Sequence, residues 1–172
     1  HVESLNVEVI FDHIENTSVT SSPFKLVGNV NEYETEALII ATGASAQYLG
    51  LASEQEYLGK GVSACATCDG FFYKEKDVVV IGGGNTAVEE ALYLSNLCAS
   101  VTLIHRREEL RAEKILQDRL FKKESDGNIN ILWNKNLDEV IGNGSLVSGV
   151  RIKDTNSDET TDIEVEGVFI AI

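Results

Sequence analysis

Residues 77–87 read DVVVIGGGNTA, and this stretch decides the fold. Asp77–Ile81 is a short β-branched run, the composition of a buried strand. Gly82-Gly83-Gly84-Asn85-Thr86-Ala87 follows at once and fits G-x-G-x-x-A, the turn that sets a dinucleotide pyrophosphate on a helix N-terminus. In that role Gly82 permits the tight turn and Gly84 admits the pyrophosphate close to the backbone. Ala87 is small enough for helix and strand to pack closely. Residues 85–98 then put Ala87, Val88, Ala91, Leu92, Leu94 and Leu97 on helical spacing, and Val101–Ile104 is another short strand. Strand, glycine turn, helix and strand within about 30 residues make a βαβ unit. The bland alternative is a glycine turn that holds no ligand.

The second strand runs into His105-Arg106-Arg107, with Arg111 one helical turn further on. A carboxylate at this point would bond the ribose 2′-hydroxyl of NAD. Three arginines suit a 2′-phosphate instead, because guanidinium makes planar, charge-assisted bonds to phosphate oxygens. NADP(H) is therefore the expected nucleotide, held by Gly82, Gly83, Gly84, Asn85, Thr86, His105, Arg106, Arg107 and Arg111. A solvated helix start paired with Glu108 and Glu109 is the competing reading.

Outward from this unit, a second helix is expected from about Glu108 to Lys123, with Ala112, Ile115, Leu116 and Leu120 as its apolar stripe. Ile129–Trp133 reads as the next strand. Residues 137–142, 145–154 and 163–172, separated by Gly/Asn/Asp/Ser turns, read as a small antiparallel set. On the N-terminal side, 7–11, 24–28 and 33–43 read as an antiparallel meander, and 44–63 as a connection. The fold class is α/β: a Rossmann-like nucleotide domain with a parallel sheet, an antiparallel β-meander and further antiparallel strands attached before it.

Composition agrees with an ordinary globular chain. It has 172 residues, 43% hydrophobic and 24% charged, and its longest apolar run, Ala37–Ala41, is strand-sized rather than membrane-sized. Lys plus Arg is 14 against 28 for Asp plus Glu, a net charge of −14. That disfavours general binding to nucleic acid or to an anionic membrane, and makes the local arginine cluster notable. No basic-then-apolar leader pattern opens the chain. Met is absent and an apolar strand closes the sequence, so a fragment of a longer protein is expected.

Cysteine usage is sparse: Cys65, Cys68 and Cys98. An odd count of three excludes a disulfide framework and fits a reducing compartment. Cys65-Ala66-Thr67-Cys68 places two thiols one turn apart, and a redox dithiol is the favoured reading. A zinc half-site lacks a second ligand pair, and two idle structural thiols are the other alternative. Asp69 can exchange a proton with the thiols or serve as a turn residue with Gly70. Cys98 is expected on the buried face of the first helix.

ACATCDGFFY at 64–73, GGGNTAVEEALYLSN at 82–96 and HRREELRAEK at 105–114 together resemble the low-molecular-weight bacterial thioredoxin reductases, in order and in spacing. The resemblance runs through essentially the whole chain. ALIIATGAS at 37–45 and GVFIAI at 167–172 look like the crossover strands between that family's FAD and NADPH domains. The family's FAD-binding glycine motif and its closing Gly-Asp segment are not in this sequence. Residues 1–45 are thus expected to be the last strands of an incomplete FAD domain, and 46–172 the NADPH domain. One departure is Ala52, where the family has Pro.

The resemblance implies that NADPH reduces FAD, that the flavin reduces the Cys65–Cys68 disulfide, and that the dithiol reduces thioredoxin. Carried over by position, Cys68 faces the flavin, Cys65 attacks thioredoxin, and Asp69 is the acid. It further implies a cytoplasmic homodimer and a domain rotation about the crossovers near Gly43 and beyond Ile172. The isolated fragment is expected to be inactive. Two alternatives remain: the flavoprotein subunit of alkyl hydroperoxide reductase, and an NADP-binding module whose cysteines are not turned over.

Overall fold

The computed structural model describes residues 3–5 and 7–172, which fall into two compact units, 1–44 and 45–172. The first contains one three-stranded antiparallel sheet in the order β1-β2-β3, from Ile14–Ser18, Phe24–Gly28 and Glu32–Thr35. Asp12 ties its start to the β2–β3 turn, accepting from the N–H groups of Val30 (3.2 Å) and Asn31 (3.1 Å) and from the Tyr33 hydroxyl (2.7 Å). The Tyr33 hydroxyl leads the contacts that hold this carboxyl below its ordinary range.

The expected antiparallel meander is present, but shorter than its sequence pattern. Residues 7–11 and 37–43 have the apolar content of strands yet lie outside the sheet, with Phe11 91% and Ile39 90% exposed. A strand persists only where a neighbour takes its N–H and C=O groups, and among the described residues neither segment has one.

The second unit is layered around a parallel sheet in the order β4-β11-β5-β6-β7, formed by Val62–Ser63, Gly167–Ala171, Asp77–Gly82, Ser100–His105 and Ile129–Trp133. Side chains alternate across it with period two. Val78 and Val80 face the helices α3 (Asn85–Leu94) and α4 (Lys114–Asp126), meeting Val88, Leu94, Leu116 and Leu120. Val79 and Ile81 face the opposite way, onto a second antiparallel sheet of β8 (Lys135–Gly142), β9 (Val147–Asp154) and β10 (Thr160–Glu164). Central strands covered on both faces are continuously apolar, as the DVVVI run foretells.

Several expectations need correction. The segment 163–172 is two strands rather than one: β10 stays with the meander, while β11 leaves it and enters the parallel sheet beside β5. Its fully buried run, Gly167–Ala171, is the mark of a covered parallel strand. The connection 44–63 contains the helix α1 (Ala52–Glu56) and the strand β4. There the Glu54 carboxylate, fully buried, accepts from the N–H groups of Leu49 (3.0 Å) and Gly50 (2.8 Å). Cys98 is buried, but in the turn after α3 rather than on the helix.

The second helix starts at Lys114, not near Glu108. The Arg111 N–H donates to the Gly83 carbonyl and the Glu113 N–H to Asn85 Oδ1, both at 2.7 Å. These two amides are spent on the glycine turn, so residues 106–113 form a loop draped over it. Within the helix Ile115 lies about 140° around from Leu120, so Ile115 is 68% exposed while Leu120 is fully buried. Leu120→Ala should therefore destabilise the chain by about 2–5 kcal/mol. Ile115→Ala should change stability by no more than about 0.5 kcal/mol. Urea unfolding of both variants checks the phase, and equal losses would contradict it.

Candidate functional site

The parallel sheet changes winding direction at β5: the chain proceeds to β6 and β7 on one side, while β11 returns on the other. A crevice opens at the carboxyl ends of strands where such a switch occurs. Here it is a cleft of about 640 Å³, reached by Gly82, Gly83, Gly84, Thr86, Ala171 and Ile172.

Each glycine of the turn has a separate task. Gly82 lies at φ +154°, and a Cβ built there would strike the Ala171 carbonyl and come within 2.8 Å of the Ala87 Cβ. At this point β5 lies close against both β11 and α3. A Cβ at Gly83 would run into the His105 ring. Gly84, the N-cap of α3, has an unstrained φ of −91°, and a Cβ there meets nothing within 4 Å. The free space opens on the cleft at the start of α3, where unpaired helix N–H groups favour an anion.

Four cationic side chains, Arg106, Arg111, Lys135 and Lys153, line the cleft against one carboxylate, Asp138. Lys135 is paired with Asp154 and Lys153 with Asp158 (2.7 Å), which leaves Arg106 and Arg111 as the positive groups of the cleft in a chain of net charge −14. Arg106 and Arg111 come from the loop 106–113, which the Gly83 carbonyl and the Asn85 side chain hold in place. The side chain of Asn85 is thus spent on bracing that loop. Arg107 is not among the lining residues; its carbonyl accepts from the Asn134 N–H at 3.5 Å. His105 lies beneath the turn, 5% exposed, with Nε2 bonded to the Glu109 carbonyl at 3.0 Å and the Trp133 ring edge-on at 6.2 Å. Burial pushes its pKa down, which favours the neutral ring, and its place under Gly83 makes it a spacer between turn and loop.

Lys135 and Lys153 carry no signal in the linear sequence. The β8–β9 register, with Asn136 opposite Lys153 and Lys135 opposite Asp154, brings them together across 18 positions. Asp154 also binds Lys135, whose ammonium holds that carboxyl down at about 2.

The second constellation is the cysteine pair. Cys65 and Cys68 are joined in a disulfide, with Cα atoms 5.3 Å apart, and Cys98 is free. Cys65 caps the short helix α2 (Ala66–Asp69), its sulfur accepting from the Cys68 N–H at 3.2 Å. Cys65 is half-buried and Cys68 exposed. The neighbouring Asp69 carboxylate accepts from Ser63 Oγ at 2.6 Å, and the same Oγ accepts from the Cys65 N–H at 3.1 Å. Burial pushes the Cys98 thiol up to about 11, so it is protonated and inert at neutral pH. The arrangement offers one accessible disulfide and one cleft lined by Arg106 and Arg111 on a single unit.

The family model for pyridine nucleotide-disulphide oxidoreductases matches residues 1–172. Among curated relatives, thioredoxin reductase of Vibrio cholerae is 58% identical, over 100% of this chain and 54% of that protein. A glucosaminate ammonia-lyase of Pseudomonas fluorescens is 56% identical, over 100% of this chain and 53% of its own length. The solved thioredoxin reductase of Lactococcus lactis superposes with a TM-score of 0.78 at 38% identity, covering 99% of this chain and 55% of that one. The chain spans about half the length of the curated relatives it matches.

Proposed function

The chain belongs to the pyridine nucleotide-disulphide oxidoreductase family, and on that premise we propose that it is the NADPH-binding, disulfide-bearing part of a thioredoxin reductase. The observation that carries the reading is the Cys65–Cys68 disulfide, reachable from solvent on the same unit as a cation-lined dinucleotide cleft. Such a disulfide favours reductase chemistry over elimination of ammonia, which has no use for one.

Residues 46–172 form the NADPH domain in this proposal, and 1–45 are the closing strands of an FAD domain. Gly84 and the start of α3 take the pyrophosphate, with Thr86 beside it. Arg106 and Arg111 take the 2′-phosphate. Gly82, Gly83, Asn85 and His105 shape the turn and loop around them. When bound, FAD supplies the two-electron relay between nicotinamide and disulfide. The residues present fit the nicotinamide nucleotide, because the Gly84 cradle is open and the cleft is cationic. For the flavin they offer a flank only, since Gly82–Ala87, the G-x-G-x-x-A match that joins a strand to a helix, belongs to this cleft, and the other match, Gly59–Ala64, leads into the strand β4.

The protein's own chemistry centres on α2. Cys68, more exposed, receives electrons, and Cys65 attacks the disulfide of thioredoxin. The Cys68 N–H favours a thiolate on Cys65. Asp69, oriented by Ser63, moves the proton. The Asp69 and Cys65 contacts share one Ser63 hydroxyl, so a single side chain positions both groups. Among the described residues no helix is long and apolar enough to cross a membrane. The proposed setting is the cytoplasm, and the proposed assembly is a homodimer of the longer protein.

The 172-residue chain should bind NADPH, keep no yellow flavin after incubation with FAD and desalting, and show no turnover. A longer protein containing it should oxidise NADPH only when thioredoxin disulfide is supplied, and Cys65→Ser should abolish that dependence. NADPH oxidation indifferent to thioredoxin, or unaffected by Cys65→Ser, would refute the proposal.

A further inference from the structure

One buried oxygen near the redox helix has no partner. Among the described residues, Glu90 Oε2 is the single buried side-chain nitrogen or oxygen without a hydrogen bond. The other oxygen of that carboxyl, Oε1, accepts from the Ala66 N–H at 3.1 Å, which joins α3 to the first turn of α2. We propose that Glu90 is a positioning residue for the Cys65–Cys68 pair: it pins the redox helix and, through its charge, sets how readily the disulfide is reduced. The inference rests on the redox reading of that pair.

Two acceptors share this turn. Glu90 Oε1 holds the Ala66 N–H and Cys65 Sγ holds the Cys68 N–H, at the first and third positions of the same four-residue helix. In the oxidised chain the sulfurs carry no charge. A thiolate formed on reduction would place a second negative charge on a half-buried turn, and like charges in one site oppose each other.

The surroundings leave Glu90 uncompensated. Burial pushes its carboxyl up, and the Ala66 amide draws it partly back. Asp69 on α2 is bonded by Ser63, Tyr73 beyond it is pushed up by burial, and Glu89 on α3 is exposed. A purely structural brace for Ala66 needs one oxygen acceptor, which glutamine supplies without a negative charge.

The test is redox exchange with dithiothreitol, scored by thiol labelling of the wild-type chain and of Glu90→Gln and Glu90→Asp. In this exchange the reagent's two thiols are oxidised to its cyclic disulfide and the Cys65–Cys68 bond breaks. The two sulfurs take the electron pair, and the protons pass to the sulfurs, to Glu90 or to water.

Glu90→Gln keeps an acceptor for Ala66 and removes the charge. Its equilibrium is expected to move about tenfold toward the dithiol, roughly 30 mV for a two-electron couple. Glu90→Asp, which keeps the charge, should stay within about twofold of wild type. A Glu90→Gln equilibrium equal to wild type overturns the proposal.

Should that variant fail to fold, reduced-minus-oxidised infrared spectra of the wild type decide, with Asp69→Asn separating the Asp69 band. Growth of a carboxylic-acid carbonyl band on reduction supports the proposal, and its absence overturns it. A wild-type disulfide that does not exchange with dithiothreitol at all refutes the redox reading itself.

Discussion

Arg106→Gln combined with Arg111→Gln is expected to weaken NADPH binding by about 3–6 kcal/mol while leaving NADH binding nearly unchanged. A charge-assisted hydrogen bond contributes about 1.5–3 kcal/mol. Both guanidinium groups reach the cleft from a loop whose backbone is anchored, by 2.7 Å bonds, to Gly83 and Asn85. Anchoring matters, because a side chain already held near its target loses less freedom on binding. Arg107→Gln, outside the cleft lining, should cost much less, and its contrast with Arg106 separates direct contact from general charge. Binding of 2′,5′-ADP and 5′-AMP by calorimetry isolates the 2′-phosphate. If both nucleotides weakened equally, the arginines would be supplying a diffuse field rather than reading that group.

The centre of the fold was legible because its signals are local. DVVVI followed by G-x-G-x-x-A specifies strand, turn and helix within one short window, and the cysteine spacing specifies a pair one turn apart. What misread was decided at a distance. Residues 108–113 have helix-forming composition, yet two of their amides find partners on the glycine turn, and those tertiary bonds outweigh propensity. Gly167–Ala171 carries two signals at once, its place beside the antiparallel set and an unbroken apolar run like that of β5, and the apolar run decides where it pairs. Residues 37–43 show the converse: strand-like composition without a neighbour to complete the ladder. Lys135, Lys153 and Glu90 enter through register and packing alone. Only the β8–β9 pairing and the α2–α3 contact turn three ordinary surface residue types into parts of a site.

Gly82→Ala and Gly84→Ala should have opposite consequences, although the two glycines are separated by one residue. At Gly82 an alanine must hold φ near +154° and push its methyl group into the Ala171 carbonyl and toward Ala87. Backbone strain of about 1–3 kcal/mol adds to overpacking of about 1–3 kcal/mol, a total of roughly 2–6 kcal/mol. Much of a marginally stable domain's reserve would be lost. At Gly84 the φ of −91° suits alanine and no atom lies within 4 Å of the new methyl group, so stability should stay within about 0.5 kcal/mol of wild type. The methyl group would instead occupy the space through which a pyrophosphate reaches the helix N–H groups. Loss of one charge-assisted bond there costs about 1.5–3 kcal/mol, roughly 10- to 150-fold in NADPH affinity. Urea unfolding and NADPH titration on both variants give four numbers. A Gly84→Ala chain that folds normally and binds NADPH like wild type would place the nucleotide elsewhere, because only a ligand passing directly over Gly84 makes that open space matter.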